Sequence, residues 1–156
     1  MIYLLLIAGI FFLELIIKNK IEKKVENKVE INNDEIKKSR FGKAIIIRKY
    51  HNKGAFLNIG EKWSPLVAGI SIVITFFLTI VFLTTLTHKG QVGLKISMSL
   101  LLGGGFSNTY DRLRRKYVVD YFTINTKVFG LKNIVFNMAD FAIMIGAICL
   151  LIFYDK

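Results

Sequence analysis

Cysteine is all but missing from this sequence: its one copy, Cys149, lies inside an apolar run. That excludes a disulfide framework and any metal site built on cysteine. Histidine is scarce too. His51 and His88 stand in separate loop stretches with no ligand partner near either, and both read as polar surface residues. Proline appears once, as Pro65, where it starts an apolar run rather than interrupting one. Acidic residues number 11 against 22 Lys and Arg, a formal net charge of +11. Nucleic acid is one partner such a charge would suit. The basic residues, however, lie between apolar runs, where Lys and Arg are drawn to anionic lipid headgroups. Membrane lipid, not nucleic acid, is the expected partner of this charge. No internal repeat or low-complexity segment is present.

What the chain has in quantity is apolar length. Of its 156 residues, 53% are hydrophobic, and mean hydropathy is positive. That is too apolar for an ordinary soluble domain and predicts an all-α integral membrane protein, a single domain over 1–156. Apolar runs at about 2–18, 66–86, 92–110 and 136–154 read as four transmembrane helices, since roughly 20 apolar residues cross a bilayer core. The first run is short enough to suggest a signal peptide. It lacks the basic start and small-residue cleavage site of one, and it runs straight into Lys18 and Asn19. A retained span with Lys18 snorkelling at its end is the better reading. Glu14 is costly within a span unless partnered. Lys18 lies one helical turn on, so a Glu14–Lys18 pair is allowed.

The polar loop 19–64 is dense in both charges. Ile21, Val25 and Val29 fall four apart like a helical stripe, yet KVEI alternates like a strand, and periodicity does not decide between them. Residues 44–50 (AIIIRKY) are rich in β-branched side chains and predict a strand, with Gly54 and Gly60 as turn signals after it. A small extramembrane β platform is expected there. Four spans would put both termini on one side and the 19–64 and 112–135 loops together on the other.

The chemistry concentrates in residues 101–120, LLGGGFSNTYDRLRRKYVVD. Asn108 with Asp111 is an i,i+3 pair and Asn108 with Arg112 an i,i+4 pair, so the three share a helix face. Asn137 and Asp140 repeat the Asn–Asp spacing at the start of the last apolar run. Gly103, Gly104 and Gly105 permit close helix approach. Val118 and Val119 would hold Asp120 on a short extended segment returning towards the helix ends. Carboxylates paired at the edge of a low-dielectric region share a proton. One can then take a proton from an attacking water while its partner polarises a scissile carbonyl, as an aspartic peptidase requires. The alternative for these acids is pairing with Arg112 and Arg114 to fix helix ends.

The sequence resembles the lipoprotein signal peptidases (signal peptidase II). HNKGAF is similar to the family's Asn-x-Gly-Ala segment through Asn52, Gly54 and Ala55. GGGFSNTYDR is similar to Gly-Gly-x-x-Gly-Asn-x-x-Asp-Arg through Gly103, Gly104, Asn108, Asp111 and Arg112. VVDY resembles Val-Val-Asp-Phe at Val118, Val119 and Asp120, and FNMAD resembles Phe-Asn-x-Ala-Asp at Phe136, Asn137, Ala139 and Asp140. The resemblance implies that Asp120 and Asp140 are the catalytic dyad. Asn52, Gly54, Asn108, Asp111, Arg112, Asn137, Glu14 and Lys18 would support the site or bind substrate. It implies an endopeptidase that removes signal peptides from diacylglyceryl-modified bacterial prolipoproteins, cutting on the amino side of the lipidated cysteine. It further implies no metal or organic cofactor, a monomer, cytoplasmic termini, and a site at the outer face of the cytoplasmic membrane.

The chain departs from the family pattern in places. The first-span motif Asp-Gln-x-x-Lys appears as ELIIK, with Leu15 where an amide stands. Ser107 holds the third glycine position of the long motif beside Phe106, a change expected to alter helix packing near Asn108. The link 113–117 (LRRKY) is unusually basic and lacks the glycine common there, and 19–40 is a charged insert. Charge also conflicts with topology. Of the Lys and Arg, 13 lie in 18–64 and 6 in 112–135. The positive-inside rule would put these loops, and the site, in the cytoplasm. A catalytically silent relative that binds or chaperones lipopeptides is the alternative function. A transporter with carboxylate proton relays is disfavoured, because the acids cluster at helix ends rather than across the bilayer.

Overall fold

The computed structural model describes residues 1–26, 45–55, 59–124 and 134–154. In chain order these form α1 (Ile2–Glu26), β1 (Ile45–Asn52), a 3-10 turn at Glu61–Trp63, α2 (Ser64–Thr87), α3 (Val92–Arg115), β2 (Val118–Ile124) and α4 (Met138–Phe153). Among the described residues the chain is therefore mostly helical with one small sheet. Two of its helical segments, Ile2–Lys23 and Glu61–Thr87, are long and apolar enough to cross a membrane. α4 is apolar but shorter.

The axis of the bundle is α3, which packs against α1, α2 and α4. Its sequence explains why. Gly104 sits so close to α4 that an added Cβ would lie 2.5 Å from the Ala139 carbonyl oxygen. Gly146 of α4 answers it, with a Cβ there meeting the Leu101 nitrogen and the Ser97 oxygen at 2.9 Å. Small residues at these crossings let backbones approach, so dispersion contacts hold helices that gain little from hydrophobicity in lipid. Phe82, Met98, Leu101 and Leu102 form the apolar core below the polar end. α2 turns Val73, Phe76, Phe77 and Leu83 outward, an apolar face of the kind lipid accepts and water does not.

Helix limits differ from the sequence expectation mainly at the polar end. α1 continues to Glu26 rather than stopping near 18, which makes Ile21 and Val25 helical; Val29 lies outside the described residues. α3 continues to Arg115 rather than 110, placing Asp111 and Arg112 on the helix itself. Both extensions are held by tertiary ion pairs, described below, which hydropathy does not register. α3 closes on Lys116 in the left-handed conformation, φ 71°. Left-handed helix caps favour glycine, which the basic link lacks.

The expected strand is present but lies one residue later, Ile45–Asn52, and pairs antiparallel with β2. Its register sets Tyr50 opposite Asp120 and Asn52 opposite Val118, with an irregularity between Ile47 and Tyr50. His51 is thus a strand residue rather than a loop residue, as the sequence alone suggested. It has partners too. It hydrogen-bonds Glu22 of α1 at 2.9 Å and stacks on Tyr117 with ring centroids 3.9 Å apart. Lys49 joins Glu22 at 2.6 Å, so the sheet is tied to the end of α1. Beyond β2, Phe136 bridges to Phe122, bringing the chain to the start of α4.

Candidate active site

Two kinds of carboxylate meet at the polar end of the bundle. The first kind is ion-paired. Lys18 Nζ lies 3.3 Å from Glu14 Oε2 and 2.9 Å from Asp111 Oδ2. It also donates to Ser107 Oγ and Asn108 Oδ1, both at 3.0 Å. Arg115, not Arg114, is the arginine that reaches an acid, with Nε 3.5 Å from Asp111 Oδ1. Lys18, Glu14 and Asp111 are each about 1% exposed. Charges so deeply buried persist only with partners, and Lys18 is the partner of both acids. Ser107, expected to alter helix packing near Asn108, offers its hydroxyl as one of the Lys18 acceptors.

The second kind is surrounded by amides. Asp120 Oδ1 accepts from Asn137 Nδ2 at 2.6 Å, and its Oδ2 from Asn52 Nδ2 at 3.0 Å. Asp140 Oδ1 accepts from Asn108 Nδ2 at 2.9 Å, and its Oδ2 from the Asn137 backbone N–H at 3.1 Å. Among the described residues neither acid forms an ion pair. Burial, and next the neighbouring Asp140 carboxylate, push Asp120 up from the ordinary 3.8 to about 7.

Each amide is fixed in turn. Asn137 is the N-cap of α4, where its side chain accepts from the Asp140 N–H while Asp140 returns the bond, a full capping box. Asn52 accepts from the Gly54 N–H at 3.0 Å and donates to the Ala55 carbonyl at 3.2 Å. Arg112 donates to the Gly54 carbonyl at 3.0 Å and to the Asn108 carbonyl at 3.3 Å, tying the β1 end to α3. Val119 N–H donates to Asp111 Oδ2 at 3.3 Å, so the ion-paired acid holds the strand that carries Asp120.

The amide-bound acids open onto a groove of about 360 Å³ between α2, α3 and α4. Asn52, Asn108, Arg112, Asp120 and Asp140 form its polar end, and Ile70, Ile74, Ile143 and Met144 its apolar wall. All ten residues singled out in the sequence for this site lie within one connected set of bonds. Tyr121, Ser107 and Arg115 belong to that set and were not singled out as members. The partners of Tyr121 and Ser107 lie far away in sequence, beyond the reach of i,i+3 and i,i+4 reasoning, whereas Arg115 pairs with Asp111 one helical turn before it, a spacing the sequence did offer. Among the described residues no cluster of three His, Cys, Asp or Glu side chains offers a metal site.

The profile of signal peptidase (SPase) II matches residues 6–154. The chain belongs to the signal peptidase II family. Similar curated proteins include a lipoprotein signal peptidase of Coxiella burnetii (strain Dugway 5J108-111), 34% identical over 107 residues, which are 66% of this chain and 63% of that protein. The match thus spans just under two thirds of that relative's length. A lipoprotein signal peptidase of Bacillus velezensis is 34% identical over 110 residues, 69% of this chain and 68% of that protein. Two solved bacterial membrane enzymes share the fold. One has a TM-score of 0.72 at 23% identity, covering 96% of this chain and 85% of its own. The other has a TM-score of 0.70 at 22% identity, covering 96% and 90%. That membrane setting agrees with the two helical segments long enough to span a bilayer.

Proposed function

We propose that the protein is an intramembrane aspartic endopeptidase that removes signal peptides from diacylglyceryl-modified prolipoproteins, with Asp120 and Asp140 as its catalytic pair. The carrying observation is the division among the acids. Glu14 and Asp111 are neutralised by Lys18 and Arg115, whereas Asp120 and Asp140 face the groove with amides alone. A charge tally points the same way. The buried acids Glu14, Asp111 and Asp120 and the half-buried Asp140 stand with three cations, Lys18, Arg112 and Arg115. One proton shared by the pair makes the buried cluster neutral, which a low-dielectric site favours.

In the reaction, a water held between the two carboxyl groups attacks the peptide carbonyl carbon. The ionised carboxylate takes the water's proton while the protonated partner donates to the carbonyl oxygen. Collapse of the tetrahedral species breaks the C–N bond, and the leaving nitrogen, that of the lipidated cysteine, receives a proton from the pair. No acyl-enzyme forms. The apolar wall of the groove suits the substrate's apolar segment, and Arg112 and the capped Asn137 keep the polar end rigid.

Our topology reading has four membrane-spanning helices, cytoplasmic termini and the sheet with the site on the outer face. The basic loops would then rest on anionic lipid of the outer leaflet, and the protein works as a monomer without metal or organic cofactor. Intact cells test this. Asn33→Cys is expected to react with a membrane-impermeant thiol reagent, and protection until the membrane is opened would contradict it. The activity is tested by incubating the purified full chain with a lipidated prolipoprotein and its unlipidated form. Intact mass should show cleavage before the lipidated cysteine in the first only. Binding of the lipidated form without cleavage would support the silent relative instead.

A further inference from the structure

Tyr121 is a buried polar group at this end of the bundle for which the proposed reaction has no use. Its hydroxyl donates to Glu14 Oε1 at 2.6 Å and accepts from the Met138 backbone N–H at 3.1 Å. The first bond reaches α1 and the second the first residue of α4. Tyr121 itself follows Asp120 on β2, and its own N–H is bonded to the Phe136 carbonyl at 2.9 Å. Its side chain is 6% exposed, and burial with the adjacent Glu14 carboxylate keeps the phenol protonated.

These bonds complete a closed circuit. From Tyr121 it runs through Glu14, Lys18 and Asn108 to Asp140, then through Asn137 to Asp120, the neighbour of Tyr121 in the strand. Without the tyrosine hydroxyl Glu14 and the Met138 N–H at the start of α4 drop out of the circuit, and Asp111 alone joins Lys18 to β2 through the Val119 N–H. A helix start leaves its first N–H groups without intrahelical partners. In α4, Asn137 takes the Asp140 N–H and Tyr121 takes that of Met138.

We infer that Tyr121 is a positioning residue, its hydroxyl fixing the start of α4, and with it Asp140, relative to Asp120 and α1. The inference rests on the reading of Asp120 and Asp140 as the catalytic pair. It does not follow from that reading, because the pair could be held by amides alone. Small displacements of reacting groups lower turnover more than binding, so the hydroxyl should show itself in kcat.

The test uses the full-length protein in detergent with a lipidated prolipoprotein. Tyr121→Phe removes only the hydroxyl. Met138→Pro removes the N–H from which the hydroxyl accepts and exchanges a half-exposed side chain, at a first-turn position where proline suits a helix and after Asn137, already extended at φ −124° and ψ 170°. Each variant is expected to lower kcat about tenfold with KM within about twofold of the parent. The double variant should resemble the slower single one, because both changes cut the same link. Wild-type kcat in Tyr121→Phe, a loss confined to KM, or losses that multiply in the double variant would each overturn the inference. Thermal unfolding of each variant, expected near the parent value, separates misplacement from failure to fold. Should Tyr121→Phe not accumulate, Met138→Pro carries the same kcat test alone. If Asp120→Asn and Asp140→Asn are inactive while both link variants are fully active, this inference alone fails. If those aspartate variants still cleave, it is the catalytic pair that fails.

Discussion

The two ends of this bundle are built on opposite rules. At one, Phe82, Met98, Leu101 and Leu102 interlock, and Gly104 and Gly146 bring α3 and α4 into backbone contact. At the other, the buried Glu14, Lys18, Asp111, Asp120 and Asn137 are joined by ion pairs and hydrogen bonds, and Lys18 alone serves four partners. The apolar end sets how far apart the helices lie. The polar end sets where individual oxygen atoms point. Damage to the first should therefore appear in stability, and damage to the second in turnover, with Lys18 the place where the two consequences merge.

Lys18→Met attacks that junction and carries the largest expected effect. It leaves Glu14 and Asp111 buried without their ammonium, a loss of about 3–5 kcal/mol, and it frees Asn108, so both unfolding temperature and cleavage should fall. Leu102→Ala tests the apolar end by itself. A cost of about 3 kcal/mol is expected from lost contacts and the cavity left behind, with kcat of the folded fraction close to the parent. Asn108→Ala is its counterpart at the polar end. Thermal unfolding should move by about 1–2 kcal/mol as a hydrogen bond is lost, while kcat drops at least about tenfold because Asp140 loses a positioning donor. Equal stability losses with equal turnover from these two variants would erase the distinction between the ends.

Acid–base behaviour gives a further contrast. Asp120 has its folded-state value raised from 3.8 to about 7. The folded chain therefore holds a proton that the unfolded chain has released, and stability is greatest below pH ~4 on this account and declines as pH rises through about 7. Asp120→Asn should flatten that slope in thermal unfolding measured across pH. Cleavage by the parent protein should fall above about pH 7 as the shared proton is lost. The smallest effect is expected at the helix end. Lys116→Gly relieves a left-handed residue at φ 71° and should add about 1 kcal/mol without altering kcat.

Local spacing made part of this site legible. The Glu14–Lys18 pair, the shared face of Asn108, Asp111 and Arg112, and the Asn137–Asp140 repeat all follow from helical geometry, and all are present. The ranking of Asp111 did not follow from spacing. Only the family resemblance set Asp111 below Asp120; the structure adds that Lys18 and Arg115 hold Asp111 while amides hold Asp120. Asn52 met Asp120 only through sheet register between strands 68 residues apart in this contact, and Tyr121 met Glu14 across 107 residues. His51 looked solitary because Glu22, its partner, lies 29 residues before it. Helix ends were misjudged for a related reason. Hydropathy stops at the first charges, whereas α1 and α3 continue because those charges find partners on other elements.

If Asp120 and Asp140 act as one catalytic unit, as proposed, their asparagine variants lose cleavage without losing the fold. Asp140→Asn keeps an oxygen for the Asn137 N–H, and Asp120→Asn keeps one for a flanking amide, so both proteins should accumulate in the membrane. Intact mass of a co-expressed lipidated prolipoprotein should then show the uncut precursor with either variant and the cut product with the parent. Full cleavage by either variant would contradict the account.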